Sequence, residues 1–191
     1  MREFRQGRLS DLMASPLGHS LASLFVRSAG EPKGWLWKKK HDEWWQTPLA
    51  AIVIGNLPDL DLPVSWLLSG NPVRYHQHFT HNIWLALAVG LGVALFSPRH
   101  RWQAGLWGLL LVALHLVIDA GVGPVLGGAE TLGVPVFWPL SDARIGFPIA
   151  FITEMRFGTP DQILSWSNAG CLLYEAALFG LPLAIVSWLR K

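Results

Sequence analysis

One cysteine, Cys171, stands in a chain of 191 residues. It has no CxxC partner and nothing within the chain to bridge to. A disulfide framework and a thiolate metal site are therefore excluded, and apolar packing inside a helix is left as its role. Charge is scarce as well: 15% of the residues are Asp, Glu, Lys or Arg, against roughly 25% in an ordinary soluble domain. So few charges do not cover a globule in water. The net charge of +2 is mild, and the basic residues form no stripe interleaved with aromatics, so nucleic acid is not an expected partner. The basic start, Met1 to Arg8, is followed by neither an unbroken apolar core nor a small-residue cleavage site, and a retained N-terminus is expected. Internal repeats and low-complexity tracts are missing too.

What is abundant is apolar surface. Hydrophobic residues make up 51% of the chain and 11 residues are tryptophan, a side chain that gathers where apolar helix surface meets lipid headgroups. The expected fold is all-α, a single domain over 1–191 built as a polytopic membrane bundle of four to five short helices. Five segments carry helical signals: Pro16 to Val26, Pro48 to Ile54, Thr80 to Phe96, the apolar run up to Asp119, and Cys171 to Leu189. Pro16 suits a first helical turn. Residues 28–46, with Lys38, Lys39 and Lys40 beside Trp35, Trp37, Trp44 and Trp45, read as a loop at the membrane interface. Pro58 should kink or end the second helix, and Ser69 to Gln77 reads as a loop. The uncharged run from Ile83 to Pro98 and the one after the Arg99-His100-Arg101 turn each lie near the low end of a spanning length, roughly 17 to 25 residues, and suggest an antiparallel hairpin. Residues 121–169, rich in Gly and Pro, read as an extramembrane excursion, a lid or a re-entrant segment.

Threading five spans divides the loops into two sets. One carries Arg2, Arg5, Arg8, Arg74, Arg144 and Arg156; the other carries Arg27, Lys33, Lys38, Lys39, Lys40, Arg99, Arg101, Arg190 and Lys191. The second set is the more positive and is assigned to the cytoplasm. His19, Asp59, Asp61, His76, His81, Asp119 and Glu175 then fall near helix ends on the opposite side.

These residues carry the chemistry. His115 and Asp119 are four apart on a strongly apolar helix, so both project from one face, as two ligands of one ion do; the structural alternative is a His–Asp hydrogen bond sealing a helix interface. The segment Tyr75-His76-Gln77-His78-Phe79-Thr80-His81-Asn82 sets three histidines directly before an apolar helix, and neutral imidazole is the commonest metal ligand. His76 and His81 share a face only if the chain between them is partly non-helical, with Thr80 as a candidate cap. His78 and His100 read as interface histidines. Asp59 and Asp61 point the same way if their stretch is extended, and two like charges that close call for a cation or water; a capped turn is the alternative. His19 alone would be a packing histidine and gains weight from its side of the bundle. Glu175 is the only acid of the last helix, and a carboxylate at membrane depth is a candidate functional group, with an ion pair or hydrogen bond as its alternative.

With these motifs in order, the chain resembles the bacterial inner-membrane-associated metal-dependent hydrolases of the LexA-binding, membrane-bound type. That family is similar in its early His, Pro-Asp-x-Asp turn, His-Arg-Gly-x-Thr-His segment and His-x-x-x-Asp helix, matched here by Pro16 to Asp119, with Trp138-Pro139 and an acid in the last helix as looser points. Gln77 and His78 depart from the pattern, which has Arg and Gly there; an Arg at that place could bind an anionic substrate group. A more distant similarity runs to zinc-dependent phospholipase C and the P1-type nucleases, whose later metal histidines have no counterpart after His115.

The expectation is a metal-dependent hydrolase. His19, Asp59, Asp61, His76, His81, His115, Asp119 and Glu175 are the candidate ligands, and Asp59 and Asp61 the candidate catalytic carboxylates. Zinc is the expected ion, with manganese or iron(II) as alternatives. By location, the lipid bilayer is the partner and a lipid or lipid-linked phosphoester the substrate class, at the bacterial inner membrane near its non-cytoplasmic face. The competing expectations are a metal or proton transporter and a metal-binding membrane protein that hydrolyses nothing.

Overall fold

The computed structural model describes residues 12–30, 43–77, 79–129, 131–157 and 159–189. Arg2, Arg5 and Arg8, the lysines and tryptophans from Lys33 to Lys40, His78, Arg190 and Lys191 lie outside them.

Helix α1 spans Pro16–Gly30 and α2 spans Pro48–Gly55. The side chain of Thr47 accepts the Ala50 amide at 3.1 Å and Pro48 fills the first turn, where its missing N–H costs nothing. Pro58 then breaks the helix as its chemistry demands. A 3₁₀ turn, Pro58–Leu60, leads into α3, Asp61–Ser69, and the two halves are bent by 59°. This corrects the expectation of an extended Asp59–Asp61 stretch: Leu57, Leu60 and Asp61 are all right-handed helical, so side chains two apart diverge rather than align.

Helix α4, Ile83–Leu95, is capped by Asn82, which accepts the Leu85 amide at 3.0 Å, and not by Thr80. After a short turn α5, Arg101–Ala120, packs back along it. Glycines set that contact: a methyl group on Gly90 would stand 2.9 Å from the Gly105 carbonyl oxygen, and one on Gly108 2.9 Å from Val93. Small residues let helix backbones approach this closely where no hydrophobic drive joins helices in lipid. Helix α6 is one turn, Pro160–Ile163, and α7 runs Trp166–Leu189.

Among the described residues the expected all-α chain is thus mostly helical, with four two-residue strands added. Strand β1, Leu12–Met13, pairs antiparallel with β4, Met155–Arg156; β2, Val122–Gly123, pairs parallel with β3, Ile152–Thr153. These ladders fasten the irregular stretch between α5 and α6 to both the residues just before α1 and the end of α5.

Large apolar side chains line the outside, with Leu67, Leu91 and Leu173 at 77%, 62% and 73% exposure, while histidines and carboxylates fill the centre. That inversion suits lipid as the surrounding solvent. Among the described residues α5 and α7, at 20 and 24 residues, are long and apolar enough to cross a membrane, and the bent α2–α3 pair would make a third span. Helix α4 has 13 residues and α1 has 15, short of a straight crossing.

Candidate metal centre

The break after α2 creates the first anchor of the site. With Asp59 N–H donating to Asn56 and not one residue earlier, the Gly55 carbonyl is released from the helix ladder and accepts Nδ1–H of His115 at 2.8 Å. A carbonyl only accepts, so the proton of neutral His115 sits on Nδ1 and its Nε2 lone pair faces inward. His81 is fixed in the same way. Its Nδ1 lies 3.0 Å from the Thr80 hydroxyl, which itself donates to Asp61 Oδ2 at 2.6 Å.

The two inward nitrogens, His81 Nε2 and His115 Nε2, are 3.2 Å apart. Asp119 Oδ2 lies 3.1 and 3.2 Å from them, and Asp59 Oδ1 lies 3.6 and 3.5 Å from them. Donors about 2.0–2.1 Å from one tetrahedral ion stand roughly 3.3–3.4 Å from each other. The five separations bracket that value. His19 stacks on His115 with ring centres 3.6 Å apart and brings Nε2 to 3.4 Å from Asp119 Oδ1. His76 meets the His81 ring edge-on at 4.7 Å and binds Asp61 Oδ1 through Nδ1 at 2.8 Å.

The donors are dry. Exposure is 1% for His19, His76, His115 and Asp119, 0% for His81 and 7% for Asp59. Both Asp59 oxygens, Asp119 Oδ2 and both ring nitrogens of His19 find no hydrogen-bond partner among the described residues. A buried carboxylate with nothing to bind costs several kcal/mol, so the donor set fits a cation. Two sets, His19, Asp59, His115 and Asp119, and Asp59, His76 and His81, bring their donor atoms within 4.8 Å of one another. These buried clusters are able to hold a metal ion. Burial pushes the His81 pKa down, but the negative charge of Asp119, Asp59 and Asp61 close around the ring outweighs it and leaves the pKa well above the usual histidine value. The carboxylates draw positive charge into the cluster, whether a proton or a metal brings it.

Two of the expected ligands stand elsewhere. Asp61 braces the histidines from behind: its oxygens take His76 Nδ1, the Gln77 amide at 2.9 Å and the Thr80 hydroxyl. Glu175 is fully buried against α1, where it accepts the Ser15 amide at 3.0 Å and the Ser15 hydroxyl. The Ala14 amide donates to Asp119 Oδ1 at 3.4 Å. Two carboxylates from α5 and α7 thereby grip the start of α1 and set His19 in place.

With this geometry in view, the comparison with known families is decisive on one point. The model of the YdjM inner membrane protein family matches residues 13–190. The chain belongs to the YdjM inner membrane protein family. Membership carries the membrane side of the resemblance drawn from the motifs and goes no further: neither hydrolysis nor a relation to phospholipase C follows from it. No curated protein and no solved structure matches the chain.

Arg144 was not singled out in the sequence as part of this region. Gln77, buried and held at φ 64°, stands where the resemblance leads one to expect Arg. Its side-chain oxygen accepts from Nη2 of Arg144, which also donates to the Gly133 carbonyl at 2.6 Å while Nε reaches the Leu132 carbonyl at 2.8 Å. An arginine 67 positions along the chain thus reaches the loop between His76 and His81. Sequence spacing gives no signal for such a contact; only the fold of the stretch after α5 creates it.

Proposed function

We propose that the protein is a membrane-embedded, metal-dependent hydrolase of phosphoesters, with a lipid or lipid-linked molecule as its substrate. The observation that carries this reading is Asp59: a carboxylate in a dry pocket, both oxygens without a hydrogen-bond partner among the described residues, within 3.6 Å of two imidazole nitrogens. His19, His76, His81, His115, Asp59 and Asp119 would hold the ion, zinc by the chemistry of imidazole and carboxylate donors, with manganese or iron(II) next.

A bound divalent ion would supply Lewis acidity and lower the pKa of water toward about 7. The chain's own residues then have distinct tasks. Gly55 and Thr80 orient the two central imidazoles, and Asp61 anchors Thr80 and His76. Nη1 of Arg144 makes no hydrogen bond among the described residues and is free to meet an oxyanion. An apolar cavity of about 430 Å³, lined by Leu62, Pro63, Trp66, Phe157 and Ile163, opens on the helix that carries Asp61 and suits an acyl or isoprenoid chain.

The bundle would place this centre toward the non-cytoplasmic face of the inner membrane by the distribution of positive residues. A transporter would need polar groups through the whole depth of the bundle; in α5 the segment from Leu106 to Leu114 has no charged or ionisable residue. Elemental analysis of detergent-purified protein tests the proposal, wild type against the double variant His115→Ala with Asp119→Ala, alongside hydrolysis of bis-p-nitrophenyl phosphate. Metal content that falls in the variant together with turnover supports it; a metal-free wild type overturns it.

A further inference from the structure

We propose, resting on the metal-dependent reading above, that the cluster holds two divalent cations bridged by Asp59. One lies among His19, His115, Asp119 and Asp59, and the other among His76, His81 and Asp59.

The donor count is the first argument. Six side chains converge, and a single tetrahedral ion takes four. They sort into two sets that share Asp59 and meet where His81 of the second lies 3.1 Å from Asp119 and 3.2 Å from His115 of the first. The second argument is position. The imidazoles form a row, His19 stacked on His115, His115 5.0 Å from His81, and His81 4.7 Å from His76. Asp59 Oδ1 faces the middle of that row, nearly equidistant from His81 Nε2 and His115 Nε2 at 3.6 and 3.5 Å. Neither of its oxygens has a hydrogen-bond partner among the described residues, which leaves the carboxylate able to give one oxygen to each of two ions about 3.5–4 Å apart.

Charge supplies the third argument. Asp59, Asp119 and Asp61 are the carboxylates of the cluster. One dication among them leaves a net negative centre, which repels a phosphoester. Two leave a net positive one, which attracts it, beside the guanidinium of Arg144. A two-cation centre is thus the arrangement that agrees with an anionic substrate.

The test uses the full chain in detergent, metal-stripped and reloaded with Mn²⁺ as the probe, read by elemental analysis and low-temperature electron paramagnetic resonance. The expected result is about two Mn²⁺ per chain with the multiline spectrum of an exchange-coupled pair. His19→Gln and His76→Gln should each halve the stoichiometry and leave the six-line spectrum of an isolated ion, and Asp59→Asn should abolish the coupling. Circular dichroism and size-exclusion elution identify any variant that misfolds, and the wild-type spectrum stands on its own if all of them do. One ion per chain at saturation, or two without coupling, sinks the bridge and leaves the metal-dependent reading intact. No bound metal at all, with either Mn²⁺ or Zn²⁺, sinks both.

Discussion

The imidazole of His19 lies flat on that of His115, ring centres 3.6 Å apart and planes within 15°. Residues almost a hundred positions apart in sequence thus share one wall of the cluster, and the first helix is as much a part of the site as the fifth.

Replacing Asp59 by Asn should separate stability from loading. The buried charge is removed, so unloaded Asp59→Asn should melt at or above the temperature of unloaded wild type. Wild type should gain about 2.7 kcal/mol when zinc is present at a hundred times its Kd, and the variant should gain less at the same zinc concentration. Differential scanning fluorimetry in detergent reads both; a variant stabilised by zinc as strongly as wild type would contradict the assignment.

Acid and base should act in opposite directions on the loaded and stripped protein. The His81 pKa is raised in the fold, so in stripped protein the protonated ring contributes stability that is fully present below the unfolded value of about 6.5 and is lost as pH rises through the folded one. Loaded protein should show the reverse, since protons compete with the ion for imidazole. Melting curves from pH 5 to 9, with and without chelator, should therefore cross.

Arg144→Ala should raise KM for a phosphodiester roughly ten- to a hundred-fold, the range expected for a charge-assisted hydrogen bond worth about 1.5–3 kcal/mol, with metal content unchanged. Arg144→Lys should restore part of it. Equal KM values in wild type and both variants would remove Arg144 from substrate recognition.

Gly18→Ala should destabilise by about 1–3 kcal/mol, because the added methyl would stand 2.5 Å from Glu175 Oε2 and 2.9 Å from its carboxyl carbon. The damage should extend to metal affinity, since the same turn carries His19. Equilibrium unfolding and zinc titration of the variant give the two numbers.

Reporter fusions at the Arg99 turn and after Lys191 are expected to give cytoplasmic signals by the positive-inside rule. An extracytoplasmic signal from either reverses the orientation.

The sequence made the histidines and carboxylates of the cluster conspicuous and their arrangement obscure. His115 and Asp119 follow from a spacing of four on one helix, a purely local relation. Pro58 announced the break, yet whether the residues after it would be extended or helical depended on packing, and the helical outcome turned Asp61 away from Asp59. Glu175 was conspicuous as a lone acid in an apolar helix; that it grips Ser15 is a contact across 160 residues, which no periodicity encodes. The bridge from Arg144 to Gln77 was invisible for the same reason. Helix ends erred where caps compete: Asn82 took the role open to Thr80, whose hydroxyl was claimed by Asp61.

The grip on the start of α1 has a consequence for biogenesis. Ser15 leaves the ribosome long before Glu175 does, so the opening helix waits through the insertion of every other segment before its clasp exists. Assembly of the centre is therefore a final event, and a nascent chain arrested ahead of α7 should be open to proteases at its beginning and unable to retain a cation.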